Sequence, residues 1–163
     1  MIKQGNSLPS LKLMSATPDG PSEISTDDIF RGKRVVMFGV PGAFTPTCSA
    51  RHLPGYDEHL ADFRALGIDT VVCVAVNDVF VLGAWAKAQE ISPEIVMLAD
   101  GSAQLTEMLG LELDLTQRGL GIRSQRFALV ADDMKVTHLA VEQPGDFDVS
   151  RAEAMLSLLK AAP

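Results

Sequence analysis

A cysteine at position 48 stands where a strand gives way to a helix, and this placement predicts a reactive thiol. The run Arg34–Val40 is rich in β-branched residues and is typical of a buried strand. Thr45 is a suitable N-cap and Pro46 suits the first helical position, so Cys48 becomes the third helical residue. A sulfur there faces unsatisfied backbone N–H groups and the positive end of the helix dipole, which stabilise a thiolate. We therefore expect a nucleophilic cysteine rather than a packing one.

Two other side chains could act as partners of this thiolate. His52 lies four residues further on, on the same helix face, whereas Arg126 begins a late strand and could reach Cys48 only through the fold. His52 could be a catalytic base, but from the same helix it is poorly placed to take the Cys48 proton and still reach a third group. A hydrogen bond from His52 to a nearby loop is the simpler interpretation.

A thiolate can attack a disulfide, a carbonyl or a peroxide, and the three reactions have different requirements. Disulfide exchange favours a Cys-x-x-Cys pair, which is absent because Ser49, Ala50 and Arg51 follow Cys48. Attack on a carbonyl needs an oriented base, so a cysteine hydrolase is the weakest hypothesis. Peroxide reduction needs donors that hold two oxygens and a charge that stabilises the transition state. Thr45, the first helical N–H groups and an arginine would meet those needs.

The elements around this cysteine predict one α/β domain that spans residues 1–163. A short strand at the edge of the sheet is expected at Leu11–Met14, and further strands are expected at Arg34–Val40, Ile68–Val76, Ile95–Leu98, Arg126–Ala131 and Lys135–Val141. Helices are expected from Cys48 to Leu66 with a kink near Pro54, at Val79–Gln89, at Ala103–Leu109, and from a capping box at Ser150–Glu153 to near Lys160. The order βαβαβα followed by ββα favours a mixed central sheet flanked by helices. A thioredoxin-like fold fits this order, and a flavodoxin-like sheet is also compatible with it.

Composition restricts the partners and the compartment. The 163-residue chain carries a net charge of −7, which argues against general nucleic-acid or anionic-membrane binding. No apolar run is long enough for a signal peptide or a membrane helix, so the cytoplasm is expected unless an organellar targeting segment has been removed. Two cysteines form no disulfide framework and fit a reducing compartment. The three histidines are scattered, so we expect neither a metal site nor a cofactor.

The segment Pro41-Gly-Ala-Phe-Thr45-Pro-Thr-Cys48 resembles the active-site signature of peroxiredoxins, and in particular the type II (atypical, peroxiredoxin-5-like) subfamily. Further motifs along the chain match the same subfamily: His52-Leu-Pro-Gly55, Val76-Asn-Asp78, Leu98-Ala-Asp-Gly101, Gly110-Leu-Glu-Leu-Asp114 and Gly121-Ile-Arg-Ser-Gln-Arg-Phe-Ala128. The resemblance implies a thioredoxin fold, a homodimer and a peroxidatic Cys48, with Thr45 and Arg126 completing the site and Pro41 shielding the thiolate. It implies reduction of hydrogen peroxide and alkyl hydroperoxides through a Cys48 sulfenic acid.

The chain departs from some type II members at the resolving cysteine. Ser150 stands roughly where those members carry that cysteine near the C-terminus. Plant and bacterial members are more similar and have a cysteine at the position of Cys73; their reductants are glutaredoxin with glutathione, or thioredoxin. Cys73 could be a resolving residue, but the run Val71–Val76 favours a core position. The alternative to a peroxidase is a non-enzymatic redox sensor or holdase switched by Cys48 oxidation.

Three further residues have two interpretations each. Arg123, the nearest competitor of Arg126, is expected to be a solvated loop charge within an irregular segment, Leu111–Arg123. Phe44 and Leu120 could form an apolar wall for alkyl peroxides or a dimer contact, although core packing explains Phe44 nearly as well.

Overall fold

A seven-stranded sheet forms the centre of the computed structural model, which describes residues 1–161. Its strands are β1 (Lys12–Thr17), β2 (Gly20–Ser25), β3 (Arg34–Val40), β4 (Thr70–Ala75), β5 (Ile95–Ala99), β8 (Phe127–Asp132) and β9 (Lys135–Val141). A separate pair consists of β6 (Glu112–Leu115) and β7 (Gly121–Ser124). The helices are α1 (Thr26–Phe30), α2 (Leu53–Glu58), α3 (Leu60–Ala65), α4 (Val79–Ala88), α5 (Gln104–Leu109) and α6 (Ala152–Ala161).

The strand order is β2-β1-β5-β4-β3-β8-β9, and the sheet is mixed, as the sequence predicts. β3, β4 and β5 run parallel, whereas β1 is antiparallel to β5 and β8 is antiparallel to β3. β3 therefore lies between a parallel and an antiparallel neighbour. The antiparallel pairing brings the beginning of β8 beside the end of β3.

Alternate residues of the central strands pack into two apolar cores, one on each face of the sheet. Val36 and Phe38 belong to one core, whereas Val35 and Met37 belong to the other. This alternation is the two-residue period of a strand whose faces are both buried. Cys48 and Cys73 both lie in the core that contains Phe38.

Two segments of the sheet structure differ from the prediction. The strand expected at Leu11–Met14 is longer and is not at the edge of the sheet, since β1 pairs with both β2 and β5. The segment Leu111–Arg123 is not irregular: β6 and β7 form an antiparallel hairpin around a short 3₁₀ turn at Thr116–Arg118. No side chain of β2 or β6 is fully buried. β2 has no alternating apolar pattern, whereas Glu112–Leu115 alternates polar and apolar residues, a strand signal that the prediction overlooked.

The helix that contains Cys48 is also less regular than predicted. It begins at Pro46 and widens into a π-helical turn over Cys48–His52, in which the Leu53 N–H donates to the Cys48 carbonyl. Pro54 has no N–H group, so the α-helical hydrogen bond that would end on Ala50 cannot form. Instead of one kinked helix to Leu66, α2 and α3 follow, separated at His59.

The predicted capping box at Ser150–Glu153 is wrong. The Ser150 hydroxyl and N–H both donate to Glu142 Oε2, at 2.7 and 2.8 Å, instead of capping α6. Glu142, which accepts both hydrogen bonds, lies eight residues before Ser150, so the short spacing of a capping box could not reveal this contact.

Candidate active site

The loop after β3 carries the first part of the candidate site. Pro41 follows β3 directly, and Phe44 has a left-handed backbone with φ of +64°, which is rare for a large side chain. The Thr45 hydroxyl donates to the Gly42 carbonyl at 2.6 Å, while the Ser49 N–H donates to the Thr45 carbonyl at 3.0 Å. Thr45 thus occupies the predicted position before the helix, but its hydroxyl closes the preceding loop. Cys48 is the third residue of the helical run, as predicted.

Arg126 reaches this helix from the other end of the chain. Its Nη2 group donates to Cys48 Sγ at 3.2 Å, and its Nη1 group donates to His52 Nδ1 at 2.9 Å. The sheet explains this contact, because Phe127 pairs with Gly39 near the end of β3 and Arg126 directly precedes Phe127. The fold therefore brings together Cys48 and Arg126, which are 78 positions apart.

His52 is a neutral partner of Arg126 rather than a second cation. A guanidinium group only donates, so His52 Nδ1 must accept and the ring hydrogen must lie on Nε2. That nitrogen lies 3.1 Å from the Ser150 carbonyl, to which it donates. Burial, with a smaller contribution from the Arg126 charge, lowers the pKa of His52 to about 3. His52 therefore accepts from Arg126 without competing with it for Cys48.

The Ser150 backbone holds His52 in this orientation, and it is itself anchored by a buried carboxylate. The Ser150 carbonyl also accepts from the Tyr56 hydroxyl at 2.7 Å. Glu142 Oε2 accepts from Ser150 and from the Asp148 N–H, and the Glu142 N–H donates to the Arg126 carbonyl. Burial alone would raise the pKa of Glu142, but the hydrogen bonds from Ser150 and Asp148 outweigh it and lower the pKa. Sequence reasoning missed Glu142, whose only signal is an acidic residue directly after an apolar strand.

Arg123 is not the solvated charge that the sequence predicts. Its Nε group donates to the Leu120 carbonyl at 2.8 Å, and its Nη1 group lies 3.4 Å from the Pro41 carbonyl, to which it donates. A Cβ atom at Gly42 would lie only 2.7 Å from the same Nη1 atom. Arg123 thus ties the β6–β7 hairpin to the loop after β3, while Arg126 contacts the thiol.

Cys73 lies in the middle of β4 and is fully buried. Its strand neighbours are Phe38 on one side and Met97 on the other. Burial, and to a smaller extent the nearby Cys48 charge, raises the pKa of Cys73 well above its ordinary value, although Arg126 opposes this. Cys73 is therefore a protonated thiol in an apolar core.

A cleft of about 980 Å³ opens beside the site, and its wall includes Pro41, Thr47 and Arg126. Cys48 itself is fully buried behind these groups. Another cavity, of about 790 Å³, lies between the β1–β2 hairpin and α4, and Cys48 does not line it. Within residues 1–161, no group of three or more His, Cys, Asp or Glu side chains is arranged to hold a metal ion.

Comparison with known proteins places this arrangement in a family. The Redoxin family model matches residues 3–156. The chain is 49% identical to Peroxiredoxin-2B of Arabidopsis thaliana over 135 residues, which cover 83% of each protein. A structure of reduced Prx3 from Vibrio vulnificus in complex with hydrogen peroxide is 48% identical, with a TM-score of 0.92 over 98% of this chain and 99% of that one. Peroxiredoxin 5 from Alvinella pompejana is 33% identical, with a TM-score of 0.87 over 99% of both chains.

These similarities extend over nearly the whole chain and agree with the motifs around Cys48. The thioredoxin-like fold expected from the sequence is confirmed by the matching structures, which excludes the flavodoxin-like alternative. The chain belongs to the Redoxin family and is a peroxiredoxin, an enzyme that reduces peroxides at the expense of thiols.

Proposed function

We propose that Cys48 is the nucleophile of this peroxidase, with Arg126, Thr45 and Pro41 as its immediate partners. The contact that carries the proposal is the hydrogen bond from Arg126 Nη2 to Cys48 Sγ at 3.2 Å. A guanidinium beside sulfur stabilises the thiolate and the negative charge that develops on the peroxide oxygens. Because His52 fixes the second nitrogen of Arg126, this donor is oriented before substrate binds.

In this proposal each partner has a distinct role. The Thr45 hydroxyl gives its hydrogen to the Gly42 carbonyl, so its oxygen is free to accept the hydrogen of a hydroperoxide. The Cys48 thiolate attacks the nearer oxygen, an S–O bond forms as the O–O bond breaks, and the leaving oxygen takes a proton as water or alcohol. Cys48 is left as a sulfenic acid. Pro41, half-buried after β3, limits the access of water to the sulfur.

We infer that an external thiol recycles this sulfenic acid. Ser150 stands where some relatives carry a resolving cysteine, and Cys73 is buried in the sheet. An attack by Cys73 would require local unfolding, since a strand residue in a packed core cannot move to the helix otherwise. Glutaredoxin with glutathione is the proposed reductant, and thioredoxin is the alternative.

Peroxide consumption under steady-state conditions tests both proposals. The protein is supplied with hydrogen peroxide or an alkyl hydroperoxide and with either the glutaredoxin/glutathione system or the thioredoxin system. We expect many turnovers with at least one system and none when Cys48 is replaced by serine. Oxidation of Cys48 that stops after one equivalent in both systems would instead favour the redox sensor or holdase.

We also propose a homodimer that forms through exposed apolar side chains near the site. Phe44 is 56% exposed and Phe80 is 73% exposed, and the Ala43 N–H donates to Asn77 Oδ1, which ties their two segments together. Leu120 and Ile122 are also exposed, on the hairpin that Arg123 joins to Pro41. Light scattering should give twice the 17.5 kDa chain mass, and replacement of Phe80 by aspartate should lower it.

The proposed compartment is the cytoplasm. None of the helices in residues 1–161 is long and apolar enough to cross a membrane. Relatives include Peroxiredoxin-2E, named chloroplastic and 41% identical, and Peroxiredoxin-2F, named mitochondrial and 44% identical, so localisation in the source cell is the required test.

A further inference from the structure

Three arginines surround one aromatic ring at the edge of the candidate site. The guanidinium carbons lie 4.7 Å (Arg51), 5.4 Å (Arg151) and 5.9 Å (Arg126) from the centroid of the Phe147 ring. Each distance is within the range of a cation–π contact. In a chain with a net charge of −7, this concentration of positive charge is a local exception.

The three arginines differ in whether their guanidinium groups already have hydrogen-bond or ion-pair partners. Arg126 donates to Cys48 and His52, and Arg151 Nε donates to Glu153 Oε2 at 3.0 Å. Arg51 is exposed and has no ion-pair partner among residues 1–161. A guanidinium that lies over a ring keeps the N–H groups at its edge free, and these match the geometry of a carboxylate.

This cluster lies next to the nucleophile. Arg51 is three residues after Cys48 in the helical turn, and the Phe147 ring packs edge-on against His52 with centroids 5.1 Å apart. The loop that presents Phe147 is fixed on both sides. Before Phe147, the Asp146 N–H donates to the Gln143 carbonyl, and after it Glu142 Oε2 accepts from the N–H groups of Asp148 and Ser150. Arg126, which contacts both the Phe147 ring and Cys48 Sγ, links this cluster to the sulfur. Two exposed carboxylates, Asp146 and Asp148, flank Phe147 and reduce the positive electrostatic potential there. Among residues 1–161, neither forms an ion pair with Arg51, Arg126 or Arg151.

We propose that Arg51, Phe147 and Arg151 form the docking surface for a small thiol that carries carboxylates, such as glutathione, during the reduction of Cys48. This inference rests on the proposed function, in which Cys48 becomes a sulfenic acid. The docked thiolate attacks the Cys48 sulfur, an S–S bond forms as the S–O bond breaks, and the hydroxyl leaves as water with one proton. A second thiol then attacks the sulfur of the bound thiol and releases the Cys48 thiolate. Two electrons reach Cys48 from the two thiols, which leave as their disulfide.

The test compares glutathione with its diethyl ester, which has the same thiol but lacks both carboxylates. Wild-type protein is oxidised with one equivalent of hydrogen peroxide. The reduction of Cys48 by each thiol is then followed by stopped-flow Trp85 fluorescence, or by mass spectrometry after the reaction has been stopped chemically. Rates are compared at equal thiolate concentration. We expect glutathione to react about fivefold faster than the ester at low salt, since an exposed ion pair contributes up to about 1 kcal/mol.

Variants that remove the positive charges then test whether Arg51 and Arg151 cause the preference for glutathione over its ester. In the Arg51→Gln, Arg151→Gln double variant, the ratio of glutathione to ester rates should fall to about one. Arg31→Gln is the matched control, because Arg31 is an exposed, ion-paired arginine that precedes β3 and lies at the opposite end of that strand from Cys48. Arg51→Lys should give an intermediate ratio, because lysine keeps the charge but loses the planar stacking.

The two proposals fail in different ways. A double variant that keeps the wild-type preference for glutathione overturns the docking surface and leaves the role of Cys48 intact. The docking surface is likewise overturned if wild-type protein reacts equally fast with glutathione and with its ester. Protein in which peroxide does not oxidise Cys48 contradicts the proposed function itself, before any thiol is added.

Discussion

The two cysteines of this chain are equally buried but have opposite surroundings. Both have no exposed surface, and both belong to the apolar core on the same face of the sheet. Cys48 opens a helical turn and accepts a hydrogen bond from Arg126, whereas Cys73 lies in a central strand between Phe38 and Met97. Burial is common to both, so it cannot decide which thiol reacts. The contact with a charged donor distinguishes them, because it stabilises sulfur as an anion.

The largest expected effect separates the two thiols directly. Cys48→Ser should lower peroxide turnover by about 10⁴-fold or more, since the proposed nucleophile is removed. Cys73→Ser should retain most of the activity with glutathione and glutaredoxin. Both variants are assayed by peroxide consumption at equal concentrations of folded protein. Comparable losses in both would show that Cys73 takes part in the cycle and that the two thiols do not differ in function.

Removal of the charged donor should make Cys48 more like Cys73. Arg126→Gln is expected to slow the oxidation of Cys48 by about 10²–10³-fold, the range for loss of one donor to a developing anion. Arg123→Gln is the paired variant, because Arg123 contacts the Pro41 carbonyl and not the sulfur. The rate of oxidation with a single equivalent of peroxide gives the comparison. Equal losses would mean that loop position, rather than the charge on Cys48, controls the rate.

The buried, neutral His52 that accepts from Arg126 should make the free energy of unfolding depend on pH. The folded pKa of His52 is about 3 and its ordinary value is 6.5, so the unfolded state binds more protons between these values. The resulting stability is present above pH 6.5 and is lost as pH falls toward 3, by up to about 1.4 kcal/mol per pH unit. Urea unfolding of wild type should therefore show a free energy of unfolding lower by about 2 kcal/mol at pH 5 than at pH 7.

The variant His52→Asn isolates this contribution. Its amide oxygen can still accept from Arg126, but the side chain does not titrate and cannot reach the Ser150 carbonyl. Between pH 7 and 5 the carboxylates remain largely ionised. The pKa of His59 is raised by Asp62 and that of His138 is lowered by burial, so their contributions to the slope have opposite signs. The slope should therefore become much shallower in the variant than in wild type. An unchanged slope would show that another group is responsible.

The last prediction, of an effect comparable to that of His52, concerns the packing of Cys73. Cys73→Ser places a hydroxyl in an apolar core and should lower the free energy of unfolding by about 1–3 kcal/mol. Cys73→Ala, which leaves a small cavity but no unpaired polar group, is the control for lost volume. Chemical denaturation measures both. A serine variant as stable as wild type would indicate a polar neighbour at Cys73 and weaken the contrast with Cys48.

Much of the fold could be predicted from local patterns. The β-branched runs around Val36 and Val72 indicate buried strands, and the capping residue Asp78 marks the start of α4, where its carboxylate accepts from the N–H groups of Phe80 and Val81. The β6–β7 hairpin was missed because its alternating segment, Glu112–Leu115, is only four residues long and the glycines around it favour an irregular loop. The π-helical turn at Cys48–His52 was missed because its widened hydrogen bonding has no periodic signature in sequence.

The sequence alone determined that Cys48 lies in the first turn of a helix that follows a strand, because capping and the position of proline are local properties. It also identified the residue types that could serve peroxide chemistry. Only the tertiary structure decided which arginine contacts the sulfur. The antiparallel pairing of β8 with β3 brings Arg126 to Cys48, and Glu142, Ser150 and His52 then fix its orientation. These contacts join residues 74 to 98 positions apart, or depend on a carboxylate buried by the fold, so no local pattern encodes them.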